Sequence, residues 1–207
     1  MNFKVLPPEM GQVCLLLYKP GKHDPFLNKL VASVDGPFSH VEIAFLERFG
    51  DEPWEREVWG SSIYQGETVF FKPKTYMRDG YVSIAIEVTM PQMLKMKAFC
   101  QSQADEGIPF CRNAMYAAYL PWQIVDSPGT FCSKHVTKVL QYGGVYQVKD
   151  INPALMTPSS LFRLFNKKEP ILQVVPRRLL PENTADCSAN MARDMLQRLQ
   201  EQGKSKF

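Results

Sequence analysis

Three histidines, His23, His40 and His135, and five cysteines, Cys14, Cys100, Cys111, Cys132 and Cys187, are the groups this chain could use for thiol chemistry. A thiol attacks as its thiolate, and the free N–H groups at a helix N-terminus favour that negative charge. Cys132 has such a place in PGTFCSKHVTKVLQYGG (128–144), straight after a Pro-Gly turn and at the head of a short helical pattern. Cys100 and Cys111 fall in or near helical apolar patterns, Cys14 in a strand and Cys187 near the tail, where burial is the usual fate of a free cysteine. Among the bases, His135 is three residues beyond Cys132 on the same helix, too deep to swing over the thiol, and reads as a packed or surface histidine. His23, in the turn GKHDP, reads as solvated. His40 begins HVEIAF, in which Val41, Ile43 and Phe45 share one strand face and His40, Glu42 and Ala44 the other. The apolar face anchors the strand, so His40 is held rigidly and can act as base.

A catalytic imidazole also needs an orienting group on its second ring nitrogen. If the hairpin after His40 turns near Gly50–Asp51, His40 pairs with a residue near 61, and Ser61 or Ser62 lies beside it. Glu57 then falls opposite residue 44, roughly 13 Å from His40 at strand rise. A serine stabilises imidazolium less well than a carboxylate does. Glu42 shares the strand face of His40, yet residues two apart are about 7 Å apart at the backbone. The third member stays open between these, and the site reads as Cys132, His40 and Ser61. No metal or organic cofactor is called for: Cys132 and His135 supply only two ligands, with no second pair at suitable spacing.

The elements that must place these groups follow from periodicity and turn chemistry. Residues 12–18 are an apolar run suited to a buried strand. DPFLNKLVASV (24–34) reads as a short amphipathic helix with Asp24 as N-cap and Pro25 at its first position. Residues 40–62 read as a hairpin, and 67–73 and 81–88 as two more strands, with links short enough to favour an antiparallel sheet. Helices are expected over 91–107, 111–120, 131–142 with Gly143-Gly144 as the stop, and 157–165. Residues 166–186 are Pro-rich and read as a linker or surface wrap. Residues 187–207 read as an amphipathic helix on Ala192, Met195, Leu196 and Leu199. The expected organisation is one α+β domain over 1–165 and an extension over 166–207.

With 24 basic and 21 acidic residues, a net charge of +3 is too balanced for a nucleic-acid groove or a polybasic membrane anchor. The apolar core of residues 13–18 is too short for a signal peptide, and no run of about 18 apolar residues predicts a membrane span. An odd number of cysteines without CxxC spacing suits a reducing compartment, and the expected location is the cytoplasm.

FSHVEIAF, the strand ending WGSSIYQGETVFFKP, the turn GIPF and FCSKHVTKVLQYGGV together resemble the permuted papain-like cysteine peptidases of the NlpC-type superfamily, in which histidine precedes cysteine. The family's S-H-V-x-I strand motif matches Ser39-His40-Val41-Glu42-Ile43, and its C-S-x-x-V helix motif matches Cys132-Ser133-Lys134-His135-Val136. A G-V-R-like strand is approximated by residues 66–70 and a G-x-P-Tyr turn by Gly107-Ile108-Pro109-Phe110. The likeness covers about residues 10–165 and implies an antiparallel sheet packed on the cysteine helix. It also implies a thiol hydrolase of an amide, peptide or ester, and a viral member with a virion or host protein partner in the host cytoplasm or virion. The alternatives it implies are a lipid acyltransferase of the retinol acyltransferase-like type and a structural or binding protein on the same fold. The family's third polar residue, usually His, Glu or Asn on the second strand, falls in Trp59-Gly60-Ser61-Ser62, where no acid or amide stands.

Overall fold

The computed structural model describes residues 10–48, 50–119 and 128–166. Five strands, β1 (Met10–Tyr18), β2 (His40–Leu46), β3 (Glu57–Ser62), β4 (Phe70–Thr75) and β5 (Tyr81–Thr89), form one sheet in the order β4-β3-β2-β1-β5. Every neighbouring pair is antiparallel. The interior strand β1 is buried from Gly11 to Leu17, which explains its unbroken apolar run: both faces need covering.

On one face, Val13, Leu15, Leu17, Val41, Ile43 and Phe45 meet the helices α2 (Met90–Asp105), α4 (Cys132–Tyr142) and α5 (Pro158–Phe165) in the main core. On the other, Cys14, Leu16, Ala44 and Leu46 are closed over by Val58 and Tyr76, with Trp54 and Tyr81 at the margin. The α+β class is therefore as expected, with the cysteine helix packed on β2. Local signals place the helix starts. Thr89 and Gln92 form a capping box at α2, and Thr157 Oγ1 accepts the Ser160 N–H at 3.0 Å at α5.

Two helices differ from the sequence expectation, α1 by a one-residue shift and α3 by its length. Helix α1 (Phe26–Asp35) has Pro25, not Asp24, at its N-cap, because the Asp24 carboxylate is taken by the Tyr18 hydroxyl at 2.8 and 2.9 Å and by the Gly21 N–H at 2.5 Å. Helix α3 spans only Arg112–Ala117. Of the expected extension over 166–207, only Asn166 falls among the described residues, and the amphipathic run on Ala192 to Leu199 lies outside them.

The hairpin register differs from expectation by three residues. Ser61 pairs with Ile43, Gly60 with Ala44 and Trp59 with Phe45, so residue 61 does not face His40. The cause is the connection over residues 47–56. The Gln12 side chain on β1 accepts the Gly50 N–H at 2.8 Å and donates to the Asp51 carbonyl at 2.9 Å, and Trp54 bridges to Tyr76. The turn is thus tied to distant strands rather than folding tightly on itself.

Short ladders deliver the cysteine. The GIPF segment receives the Val69 N–H on the Ile108 carbonyl at 2.9 Å, and the Phe110 N–H donates to the Glu67 carbonyl at 2.9 Å. On its other side the Thr130 N–H donates to the Pro109 carbonyl at 2.9 Å and the Cys111 N–H to the Thr130 carbonyl at 2.7 Å. Residues 107–111 therefore pin the chain two residues before Cys132. Among the described residues, no helix is long and apolar enough to cross a membrane.

Candidate active site

Cys132 is the first residue of α4, after the N-cap Phe131, which offers no side-chain cap. The first-turn amides are left for other acceptors. The thiol takes one of them, the Ser133 N–H, together with the Val41 N–H of β2 and a hydrogen bond from the His40 imidazole. Burial alone would raise the thiol's pKa, but the charge of His40 and these three donors outweigh it, and the net direction is down. Burial pushes Cys14 and Cys100 the opposite way, Cys100 to about 12.

His40 opens β2, where pairing with β3 has not yet begun, so its ring is free to turn toward the end of α4. Burial would depress its pKa. The Cys132 thiolate and then Glu42 reverse this and hold it at about 9, so the imidazole carries a proton beside a thiolate. Its Nε2 lies 3.5 Å from Glu42 Oε1 and 3.5 Å from Ser62 Oγ, which leaves Nδ1 for the thiol. Tyr64 stacks on the ring, centroids 4.8 Å apart, and fixes its plane.

Glu42 is fully buried, and its neighbours explain how a charge is kept there. Oε1 accepts the Tyr64 hydroxyl at 2.6 Å, Lys74 Nζ at 2.8 Å and the Tyr81 hydroxyl at 3.2 Å; Oε2 accepts the Tyr76 hydroxyl at 2.8 Å and Lys74 at 2.9 Å. Burial would raise the carboxyl's pKa, but His40 and Lys74 bring it down to about 2. Burial and the carboxylate push the three phenols up, so each remains a donor. Gly60 makes room for this cage: the Tyr76 hydroxyl lies where a Cβ would stand.

Of the residues expected to form the site, Cys132 and His40 are brought together and Ser61 is not. Ser61 is a correction that follows from the register. Facing the main core, its hydroxyl donates to the Phe70 carbonyl at 2.8 Å and lies 2.8 Å from His135 Nε2. Since that hydroxyl proton goes to Phe70, His135 Nε2 is the donor and Nδ1, which has no partner, is bare. Burial and the charge of Lys138 lower the His135 pKa to about 3, so it is a neutral packing residue against Phe99. His23 is exposed. The carboxylate beside His40 is that of Glu42, two residues along the strand. Its only sequence signal was a carboxylate on the histidine's own strand face.

The pair opens into a cleft of ≈ 390 Å³. Tyr18, Tyr64, Tyr81 and Phe110 give it aromatic walls, and Asn28 and Val31 of α1 form one side. Among the described residues no group of three His, Cys, Asp or Glu could hold a metal ion. Compared with known protein families, with curated proteins and with solved structures, the chain matches none.

Proposed function

We propose that this protein is a thiol acyl hydrolase that works through Cys132, His40 and Glu42, in the manner of the permuted papain-like enzymes its motifs resemble. The observation that carries the proposal is the line of contacts from a buried carboxylate through an imidazole to a helix-terminal thiol at the floor of an open cleft. In this reading the Cys132 thiolate attacks an amide or ester carbonyl, and the α4 first-turn amides hold the oxyanion. The carbonyl collapses to a thioester as the leaving amine or alcohol takes the proton from His40. His40, now neutral, removes a proton from water, whose oxygen attacks the thioester; collapse of the adduct breaks the C–S bond, releasing the acid and restoring the Cys132 thiolate beside the protonated imidazole. Glu42 keeps the ring in place and stabilises its charged form through the cycle.

The alternative of a frame that has dropped its reaction rested on the lack of an acid or amide beside His40. Glu42 supplies that acid. The lipid acyltransferase alternative is favoured by Val31, Ile63, Phe110 and Met115 in the cleft, and opposed by Asp24, Asn28, Ser39 and Gln65 in the same lining.

The test is alkylation by iodoacetamide as a function of pH, on the native chain and on Cys132→Ala and His40→Ala. The expected result is labelling of Cys132 that sets in well below pH 8.5 and shifts upward in His40→Ala. A thiol that titrates near 8.5 and ignores His40 would refute the pair. Mass spectrometry after brief exposure to 4-nitrophenyl acetate should then show one acetyl group on Cys132.

A further inference from the structure

Helix α1 buries Val31 but leaves Phe26 58% and Val34 52% exposed, with Leu30 half-buried between them. Spaced four residues apart, Phe26, Leu30 and Val34 form one apolar stripe along the helix. Single exposed apolar side chains are ordinary on a protein surface; a stripe beside a reactive cleft is not. Asn28 and Val31, from the same helix, line that cleft.

Within residues 19–35 the exposed charges are basic, while the two acids, Asp24 and Asp35, are half-buried. Lys19, Lys22 and Lys29 are exposed on the turn and helix. The two acids of residues 19–35 are already engaged: Asp24 with Tyr18 and Gly21, and Asp35 with Arg163 at 2.9 Å and with Thr157. What faces outward is therefore apolar surface flanked by ammonium groups, the pattern of a helix that lies in a lipid–water interface. A second copy fits less well, since a two-fold contact through this stripe would set lysine near lysine.

We propose that α1 and the turn before it dock the protein on a lipid surface carrying anionic headgroups, with Phe26, Leu30 and Val34 inserted among the acyl chains and Lys19, Lys22 and Lys29 at the headgroups. Docking sets the mouth of the Cys132 cleft at that surface. The docking does not depend on the thiol chemistry, so it is tested with the full chain carrying Cys132→Ala.

The experiment is co-sedimentation with vesicles of phosphatidylcholine and with vesicles containing phosphatidylserine. The expected result is binding to the second kind, weakened by salt. Phe26→Ser with Val34→Ser should weaken it by about tenfold or more, as the loss of two inserted apolar side chains requires. Lys22→Gln with Lys29→Gln should cost about fivefold for each lysine and flatten the salt dependence. These positions are exposed, so circular dichroism spectra should match those of the parent. Equal sedimentation of parent and both double variants, or none on either vesicle, would overturn the proposal. Self-association of the parent that the serine variant abolishes, without vesicle binding, would overturn it in favour of a second copy.

Discussion

At the scale of single residues, Glu42 and Ser61 make opposite claims on the same reaction, and they can be set against each other. Glu42→Gln keeps the size of the side chain but removes the charge that helps hold His40 protonated. Loss of an opposite charge at this range moves a pKa by about 1–3 units, so alkylation of Cys132 at pH 6 should slow by about tenfold or more. Ser61→Ala should leave that pH profile unchanged while lowering stability by about 1–3 kcal/mol, because His135 and the Phe70 carbonyl lose their buried partner. Stopped alkylation at several pH values and urea melts of both variants check this, and the reverse pattern would return the third role to the serine. Cys132 and His40 were legible in the sequence because their signals are local: a turn before a helix start, and a strand whose alternation anchors one face. Glu42 was visible but could not be chosen. Two positions along a strand are about 7 Å apart at the backbone, and what closes the distance is the ring orientation set by Tyr64 and the cage of Lys74, Tyr76 and Tyr81.

Elements show the same division between what is local and what is not. The strands, α2, α4 and α5 follow from apolar period, capping residues and glycine stops, and these held to within a few residues. The hairpin register did not, since its turn is set by Gln12 and by the Trp54–Tyr76 bridge rather than by a two-residue turn signature. A three-residue slip was enough to turn Ser61 away from His40 toward His135. The delivery of Cys132 is likewise non-local. It relies on Gly129, where an added Cβ would stand 2.7 Å from the Pro109 carbonyl oxygen and 2.8 Å from Cys111 Cβ. Backbone would have to give way there. Gly129→Ala should therefore loosen the Thr130–Pro109 pairing and misplace the thiol, and a displacement of about 1 Å can cost on the order of 100-fold in rate. The expected outcome is a fall in thioester formation at pH 7 with the chain still folded by far-ultraviolet circular dichroism. Unchanged rates would mean that α4 holds Cys132 without help from residues 107–111.

For the whole molecule, the α+β class and antiparallel sheet were legible because they depend on the order and spacing of elements, whereas the charge buried at the sheet's second face was not. That charge makes stability depend on pH in a definite sense. Glu42 has its carboxyl lowered from 4.5 to about 2 on folding, so the folded state holds the ionised form more tightly than the unfolded chain does. Its contribution is fully present above pH 4.5 and is lost as pH falls through the interval down to about 2. The size of the shift corresponds to something on the order of 3 kcal/mol, a large part of the stability of a domain of this kind. His40 acts at the other end. Its pKa is raised from 6.5 to about 9, so its contribution is complete below pH 6.5 and is lost as pH rises through about 9. The Cys132 thiol is lowered by the same pairing, so its contribution grows as pH rises toward the free-thiol range and offsets the loss from His40 between pH 6.5 and about 8.5. Stability should therefore fall on the acid side with the protonation of Glu42 and on the alkaline side with the deprotonation of His40. Urea denaturation from pH 2 to pH 10 checks both limbs. Glu42→Gln should flatten the acid limb and His40→Ala the alkaline one; an acid limb equally steep in Glu42→Gln would move the acid sensitivity to other carboxylates.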